Sequence, residues 1–426
     1  MAISRREFIK WVSATAGAAA GVSTIAGCAT TSGSAGRVVV IGGGFGGAAA
    51  AKYVKMWTPD IDVTVVERDA MFISCPLSNL VLGGSIQLKD ITLGYDGLGK
   101  RGITMVRDEA VSIDAVKREV RLAGGSVLRY DRLIVSPSVD FLYHTIPGLN
   151  NADAQNRVLH AWRAGPQTVA LRKQLEAMRD GGVYALHIPR APYRCPLGPY
   201  ERACQVAHYF KTAKPKSKVL ILDANEDVVS KKGLYMAAWN GAYKGIIEYR
   251  PNSELEDVDV KTLTAKLQFD NVKADVLNVV PPQKAAAIAE RTGLITAGTR
   301  WCGVDWLTCE SVAVKGVHVL GDATLAASAM PKSASMANQH AKLCAAAVIA
   351  LIKGQPVNPA PMLMNTCYSF VDDKNVMHVA SVHAYDASQK TMIPVKGAGG
   401  VSDKASELEG TYAWGWARNI WADTLA

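Results

Sequence analysis

The sequence predicts an α/β protein: two strand–turn–helix units with parallel sheets, followed by a separate C-terminal segment. Three stretches carry this expectation. Arg37–Ile41 is a β-branched run that enters Gly42-Gly43-Gly44-Phe45-Gly46-Gly47 and an Ala-rich helix over Ala48–Met56, and Ile61–Val66 is the next strand. Val183–Ile188, Tyr200–Lys211 and Lys218–Asp223 repeat the order strand, helix, strand. Val317–Ala323 is a late strand running into Gly321-Asp322, ahead of a long helix over Ser333–Ile352. With 426 residues, 49% hydrophobic and 20% charged, the chain can build two or three cores, which excludes disorder and a disulfide-stapled miniprotein.

The glycine turn gives the first unit its chemistry. Gly42 permits a tight turn, Gly44 lets the backbone approach a pyrophosphate, and Gly47 lets the helix pack closely on its strand. Glu67 ends the second strand about 20 residues after Gly47, where an acid accepts hydrogen bonds from an adenosine ribose. Strand, glycines, helix and acid together read as a dinucleotide site, with FAD and NAD both open at this point. The late Gly321-Asp322, followed by Met330-Pro331-Lys332 and a helix, favours FAD. In flavoproteins with two dinucleotide folds such an aspartate takes the ribityl chain, and the next helix turns its positive end to the flavin. Asp322 and Lys332 are therefore further candidate cofactor residues. The loop between Ile188 and Tyr200 holds Pro189, Pro192, Pro196 and Pro199 but a single glycine. Prolines lack amide donors, so this loop is ill-suited to a second pyrophosphate and nicotinamide is not the expected electron partner.

These readings give two dinucleotide-binding-fold domains of the disulfide-reductase, FAD-dependent type. Residues 36–150 and 290–354 form a discontinuous FAD domain, 151–289 a second domain without an NAD fingerprint, and 355–426 a loop-rich C-terminal domain that covers the flavin or forms an interface. Residues 1–28 precede them. Ser4-Arg5-Arg6-Glu7-Phe8-Ile9-Lys10 and the weakly apolar run to Gly27 read as a twin-arginine export signal, which implies a periplasmic destination. Ile25-Ala26-Gly27-Cys28 fits a lipobox, so Cys28 is either lipidated or discarded with the signal. The net charge of +9 is dispersed, without a basic tract. It fits an acidic docking partner or an anionic substrate and excludes a nucleic-acid stripe.

The chain has eight cysteines and eight histidines. No CxxC, CxxCH or HExxH is present, so no metal site is expected and a c-type haem belongs only in a partner chain. From the sequence alone, Cys195 just before a helix is expected to have a lowered thiol pKa, and Glu201 is either a proton carrier or a helix-start carboxylate. Cys204, Cys302, Cys309 and Cys344 lie in apolar surroundings and read as core.

Phe72-Ile73-Ser74-Cys75-Pro76-Leu77-Ser78-Asn79, Ala191-Pro192-Tyr193-Arg194-Cys195-Pro196-Leu197-Gly198-Pro199-Tyr200-Glu201, Asn365-Thr366-Cys367-Tyr368-Ser369 and the Gly-Asp/Met-Pro-Lys-Ser run together resemble the flavoprotein subunit of flavocytochrome c sulfide dehydrogenase. The resemblance implies a covalent thioether from Cys75 to FAD, a redox-active disulfide between Cys195 and Cys367, and a tryptophan near the flavin at Trp416. It implies oxidation of sulfide to sulfur or polysulfide, with electrons passing to a c-type cytochrome, as a tight subunit or a soluble carrier. Two alternatives share these features: a sulfide:quinone oxidoreductase, and a flavin-bearing interaction subunit for a sulfur-carrier system.

Overall fold

The computed structural model describes residues 34–426. The expected export signal and Cys28 lie outside the described residues. The chain runs β1 (Gly36–Ile41), α1 (Gly47–Trp57), β2 (Ile61–Val66), β3 (Thr104–Val106) and β4 (Arg132–Val135). A second unit follows: β5 (Val183–Ile188), α2 (Gly198–Ala213), β6 (Lys218–Asp223), β7 (Ile247–Arg250) and β8 (Val276–Val279). The chain then returns through β9 (Val317–Val319) and α3 (Ala334–Ile352), and ends in β10 (Met362–Phe370), β11 (Val376–Asp386), β12 (Thr391–Val401) and α4 (Glu407–Leu425).

The first sheet has the order β9-β4-β1-β2-β3 and is parallel throughout. Val38, Val40, Val63 and Val65 are buried in it, as expected of a parallel sheet covered on both faces. Ala48, Ala49, Ala50 and Ala51 are fully buried at the start of α1, and these small side chains let α1 sit close to its sheet and to α3. The second sheet, β7-β6-β5-β8, is also parallel. β9 lies nearly two hundred residues beyond β4 in the chain yet pairs beside it, and this return brings Asp322 to the C-terminal edge of the first sheet.

The C-terminal region corrects one expectation. It is not loop-rich: β10, β11 and β12 form a three-stranded antiparallel sheet, and α4 closes it. Pro356, Pro359 and Pro361 all precede β10 and end at its threshold. The inward residues of β10 include Asn365 and Ser369, both buried and hydrogen-bonded, so its strand pattern does not alternate apolar with polar. α4 packs through Ala413, Ala417, Ile420, Trp421 and Leu425. It is fastened to α1 and α3 through Asp423, which accepts from Tyr53 Oη at 2.5 Å, Asn338 Nδ2 at 2.9 Å and Lys342 Nζ at 2.9 Å. Among the described residues no helix is long and apolar enough to cross a membrane, and no group of His, Cys, Asp and Glu is placed to hold a metal ion.

Candidate active site

The turn after β1 is built to bring backbone to a ligand. Gly42 has φ 97°, and a β-carbon there would lie 2.3 Å from the Ser136 carbonyl oxygen. One on Gly47 would lie 1.8 Å from the Gly42 oxygen, so both positions require glycine. Gly44 differs: nothing lies within 4 Å of its missing side chain. The space beside it is open, and no side chain caps the positive end of α1 there. Glu67, at the tip of β2, accepts from Gly43 N at 2.6 Å and Asp69 N at 2.8 Å. Its carboxylate is thereby held at the rim of that space.

Across the sheet, Asp322 follows Gly321 (φ 73°). Its Oδ1 is shut off from solvent and has no partner among the described residues. Burial pushes this carboxyl up, opposed by the charges of Arg194 and Lys332. An orphaned buried acceptor is costly unless something donates to it, and a polyhydroxyl chain would supply that donor. Together with the glycine turn, open at Gly44, and Glu67, the residues fit FAD. Lys332 takes a bracing position: its ammonium donates to Asp322 O at 2.9 Å and to Thr324 O, and lies 3.7 Å from the centre of the Trp301 ring. Burial brings its pKa down to about 8.

The backbone of Lys332 also holds the second unit, since Cys195 N donates to Lys332 O at 2.7 Å. Cys195 adopts a left-handed conformation (φ 55°), and its own carbonyl accepts from Gly198 N at 2.9 Å. A β-carbon on Gly198 would come within 2.7 Å of the Trp162 ring and 3.0 Å of Cys195 Sγ, so this glycine makes room for the thiol. Solvent reaches Cys195, although protein surrounds it on enough sides to raise the cost of a charge. The expected lowering of its pKa is therefore corrected. Burial pushes the thiol up, with further increments from Cys367 and Glu201, and only Arg194 opposes them. Cys367, from the middle of β10, donates from Sγ to Asn365 Oδ1 at 3.4 Å. Burial raises it too, against the pull of Lys231, Asn365 and Ser333. Neither Cys195 nor Cys367 is bonded to another sulfur. Cys75 belongs to the same site: Arg194 Nη2 donates to its Sγ at 3.2 Å.

Glu201, on the first turn of α2, points inward. Its Oε1 accepts from Phe370 N at 2.8 Å and its Oε2 from Asn79 Nδ2 at 2.7 Å, tying α2 to β10 and to the segment after Cys75. Burial pushes its carboxyl up. Trp416 is half-buried against Tyr368, with ring centres 6.0 Å apart. Alternation along β10 sends Tyr368 and Cys367 to opposite faces, so Trp416 does not share the face of the thiols. Cys204, Cys302, Cys309 and Cys344 are buried.

Three residues escaped the sequence reading. Arg194 stands inside a quoted stretch, but nothing in its neighbours announces a sulfur contact. Asn79 links Glu201 to Arg202, whose Nε donates to Asn79 Oδ1 at 3.1 Å. Lys231, buried at the start of a helix, donates to Met377 O at 2.9 Å, Ser369 Oγ at 3.0 Å and Cys367 O at 3.3 Å. Burial lowers its pKa to about 8, against Cys367 and Glu201, which favour its charge. No local pattern marks it.

Residues 168–281 match the family described as the sulfide dehydrogenase [flavocytochrome c] flavoprotein chain, central. Residues 359–425 match the flavin-binding region of flavocytochrome c sulphide dehydrogenase, and 36–176 match pyridine nucleotide-disulphide oxidoreductase. The chain is 58% identical over 45 residues to the sulfide dehydrogenase [flavocytochrome c] flavoprotein chain of Chlorobaculum thiosulfatiphilum, a match covering 11% of this chain and 94% of that one. It is 24% identical over 299 residues to the mitochondrial sulfide:quinone oxidoreductase of Dictyostelium discoideum, covering 67% of this chain. The match spans 65% of the length of that relative, and likewise of its counterpart in Mus musculus. Among solved structures, the sulfide:quinone oxidoreductase of Aquifex aeolicus superposes with a TM-score of 0.75 at 17% identity over 91% of each chain, a likeness of fold. The chain belongs to the family of the flavocytochrome c sulfide dehydrogenase flavoprotein chain.

Proposed function

We propose that this protein is an FAD-dependent sulfide dehydrogenase that delivers electrons to a c-type cytochrome. The observation that carries the reading is the convergence of three cysteines far apart in the chain. Cys75 touches Arg194, Cys195 follows Arg194, and Cys367 is the strongest charged influence on Cys195. Asp322, with its orphaned oxygen, is felt by the same Arg194.

FAD would be held along Gly42, Gly44, Gly47, Glu67 and Asp322, with Cys75 as the candidate thioether tether, and would supply the two-electron acceptor. The protein's own part is thiol chemistry. Cys195 and Cys367 close into a disulfide, HS⁻ attacks one sulfur, and the other leaves as a thiolate. A second HS⁻ removes the sulfane sulfur as the two-sulfur product, which leaves the dithiol. Re-forming the Cys195–Cys367 bond then releases two electrons, for which the bound cofactor would be the acceptor. Solvent access at Cys195 makes it the sulfur that substrate reaches. The pull of Lys231 on Cys367 favours it as the leaving thiolate. Glu201, braced between Asn79 and Phe370, is close enough to influence both thiols and Lys231 and is the candidate to hold the proton.

The export signal expected over residues 1–28 would fit a folded, flavin-loaded protein sent to the periplasm, where c-type cytochromes reside. A second acceptor is favoured by the long matches to sulfide:quinone oxidoreductases. Anaerobic steady-state assays with sulfide test both readings. Reduction of cytochrome c without reduction of a soluble quinone supports the proposal, whereas the reverse assigns the quinone. An intact holoprotein inactive with either acceptor points to an interaction subunit.

A further inference from the structure

We propose that Arg194 drives the covalent attachment of the flavin at Cys75. This rests on the reading above that Cys75 carries the tether. Arg194 is 8% exposed and makes no carboxylate ion pair among the described residues. Its guanidinium donates to Ser138 Oγ at 3.0 Å, to the Trp162 carbonyl, and to Cys75 Sγ at 3.2 Å. Of these three acceptors only the sulfur can become an anion. A buried cation held by two neutral oxygens and one thiol has its strongest stabilisation when that thiol carries negative charge.

The arrangement is also rigid. Arg194 N donates to Gln283 Oε1 at 3.0 Å, and the Trp162 indole donates to Arg194 O at 3.1 Å. On the other side, the Cys75 carbonyl accepts from Ser78 N at 3.1 Å and Ser78 Oγ at 2.7 Å. Guanidinium and sulfur thus face each other with both backbones fixed.

In the attachment, Sγ forms a C–S bond to the flavin 8α carbon. The S–H bond and one C–H bond of the methyl group break, and both protons and two electrons go to the ring. Dioxygen, or two c-type haems in successive one-electron steps, then takes the two electrons away. Arg194 offsets the charge on sulfur as it attacks, a charge-assisted hydrogen bond that is absent from a neutral side chain.

The test follows adduct formation rather than turnover. Flavin-free full-length protein is mixed with FAD, samples are denatured over time, and flavin remaining on the Cys75 peptide is measured by fluorescence and mass. Wild-type protein should accumulate the adduct. Arg194→Gln should retain FAD through gel filtration yet form the adduct roughly 10- to 100-fold more slowly, with Arg194→Lys in between. An Arg194→Gln rate equal to wild type overturns the role of Arg194 and leaves the tether standing. Absence of adduct in wild type overturns both. If Arg194→Gln does not retain FAD, alkylation of Cys75 by iodoacetamide in the two flavin-free proteins decides. At least severalfold slower reaction in the variant supports the proposal, and equal rates overturn it.

Discussion

The two α/β units use the same strand–loop–helix corner for opposite purposes. After β1 the loop is nearly all glycine, its one side chain, Phe45, packing on Phe72 with ring centres 4.9 Å apart, so that backbone and the end of α1 lie open at Gly44, where nothing lies within 4 Å of the missing β-carbon. After β5 the corresponding loop is stiffened by Pro189, Pro192 and Pro196, with Pro199 in the first turn of α2, and presents side chains: Arg194 toward Cys75, and Cys195 into the space that Gly198 leaves. A repeated fold unit thus carries an open glycine turn in one copy and a loop that presents a cysteine in the other. The comparison warns against inferring a second nucleotide site from topology alone.

The sharpest way to break this comparison is to add one methyl group to each loop. Gly47→Ala, whose β-carbon would overlap the Gly42 carbonyl, should abolish flavin retention on gel filtration and destabilise the fold by about 1–3 kcal/mol. Gly44→Ala meets no protein atom. It should leave thermal stability within about 0.5 kcal/mol of wild type while weakening FAD binding at least roughly tenfold, because the methyl enters ligand space. Gly198→Ala should do the reverse, keeping FAD but changing the alkylation rate of Cys195, whose sulfur it crowds. Normal FAD affinity in Gly44→Ala would contradict the cradle.

A second, smaller effect concerns the partner thiol. Lys231→Met removes donors to Cys367 O, Ser369 Oγ and Met377 O. It should cost about 1–3 kcal/mol in urea unfolding and slow alkylation of Cys367 severalfold, with little change at Cys75. Unchanged Cys367 reactivity would leave Lys231 as a brace for β10 and β11 alone.

A pH-dependent effect, partly cancelled by opposing groups, is spread over both units. Burial lowers His318 and His187 to about 4, and His340 and His160 to about 3. These side chains stay neutral in the folded state while the unfolded chain gains protons below about pH 6.5. Their stabilisation is present above that pH and is lost as pH falls toward 4. Each contributes a slope of up to about 1.4 kcal/mol per pH unit. Glu201, Asp223 and Asp322, pushed up by burial, work in the opposite direction and offset part of it. Denaturant midpoints should decline from pH 6.5 to 4.5, and a rise would show that the carboxyls dominate.

Much of this was legible in the chain. The strands at 61–66, 183–188 and 218–223 lie where their β-branched and apolar runs begin and end. The helices differ from expectation by a residue or two at their ends, where fraying and capping decide. The β10–β12 sheet was hidden because Asn365 and Ser369 face inward to hydrogen-bond partners and because β12 is glycine-rich. Cys75, Cys195 and Cys367 were visible through family resemblance, yet the groups that tune them were not. Lys231 and Asn79 act through contacts more than a hundred residues away, and no spacing rule reports such contacts.

If a thiol pair passes electrons from sulfide to the flavin, the outcome of anaerobic titration of the holoprotein with sulfide depends on both cysteines. Sulfide should bleach the visible flavin band of wild-type protein. Cys195→Ser and Cys367→Ser should keep their flavin, respond to dithionite, and react with sulfide at least roughly a thousandfold more slowly. Bleaching of either variant by sulfide at the wild-type rate would contradict the account.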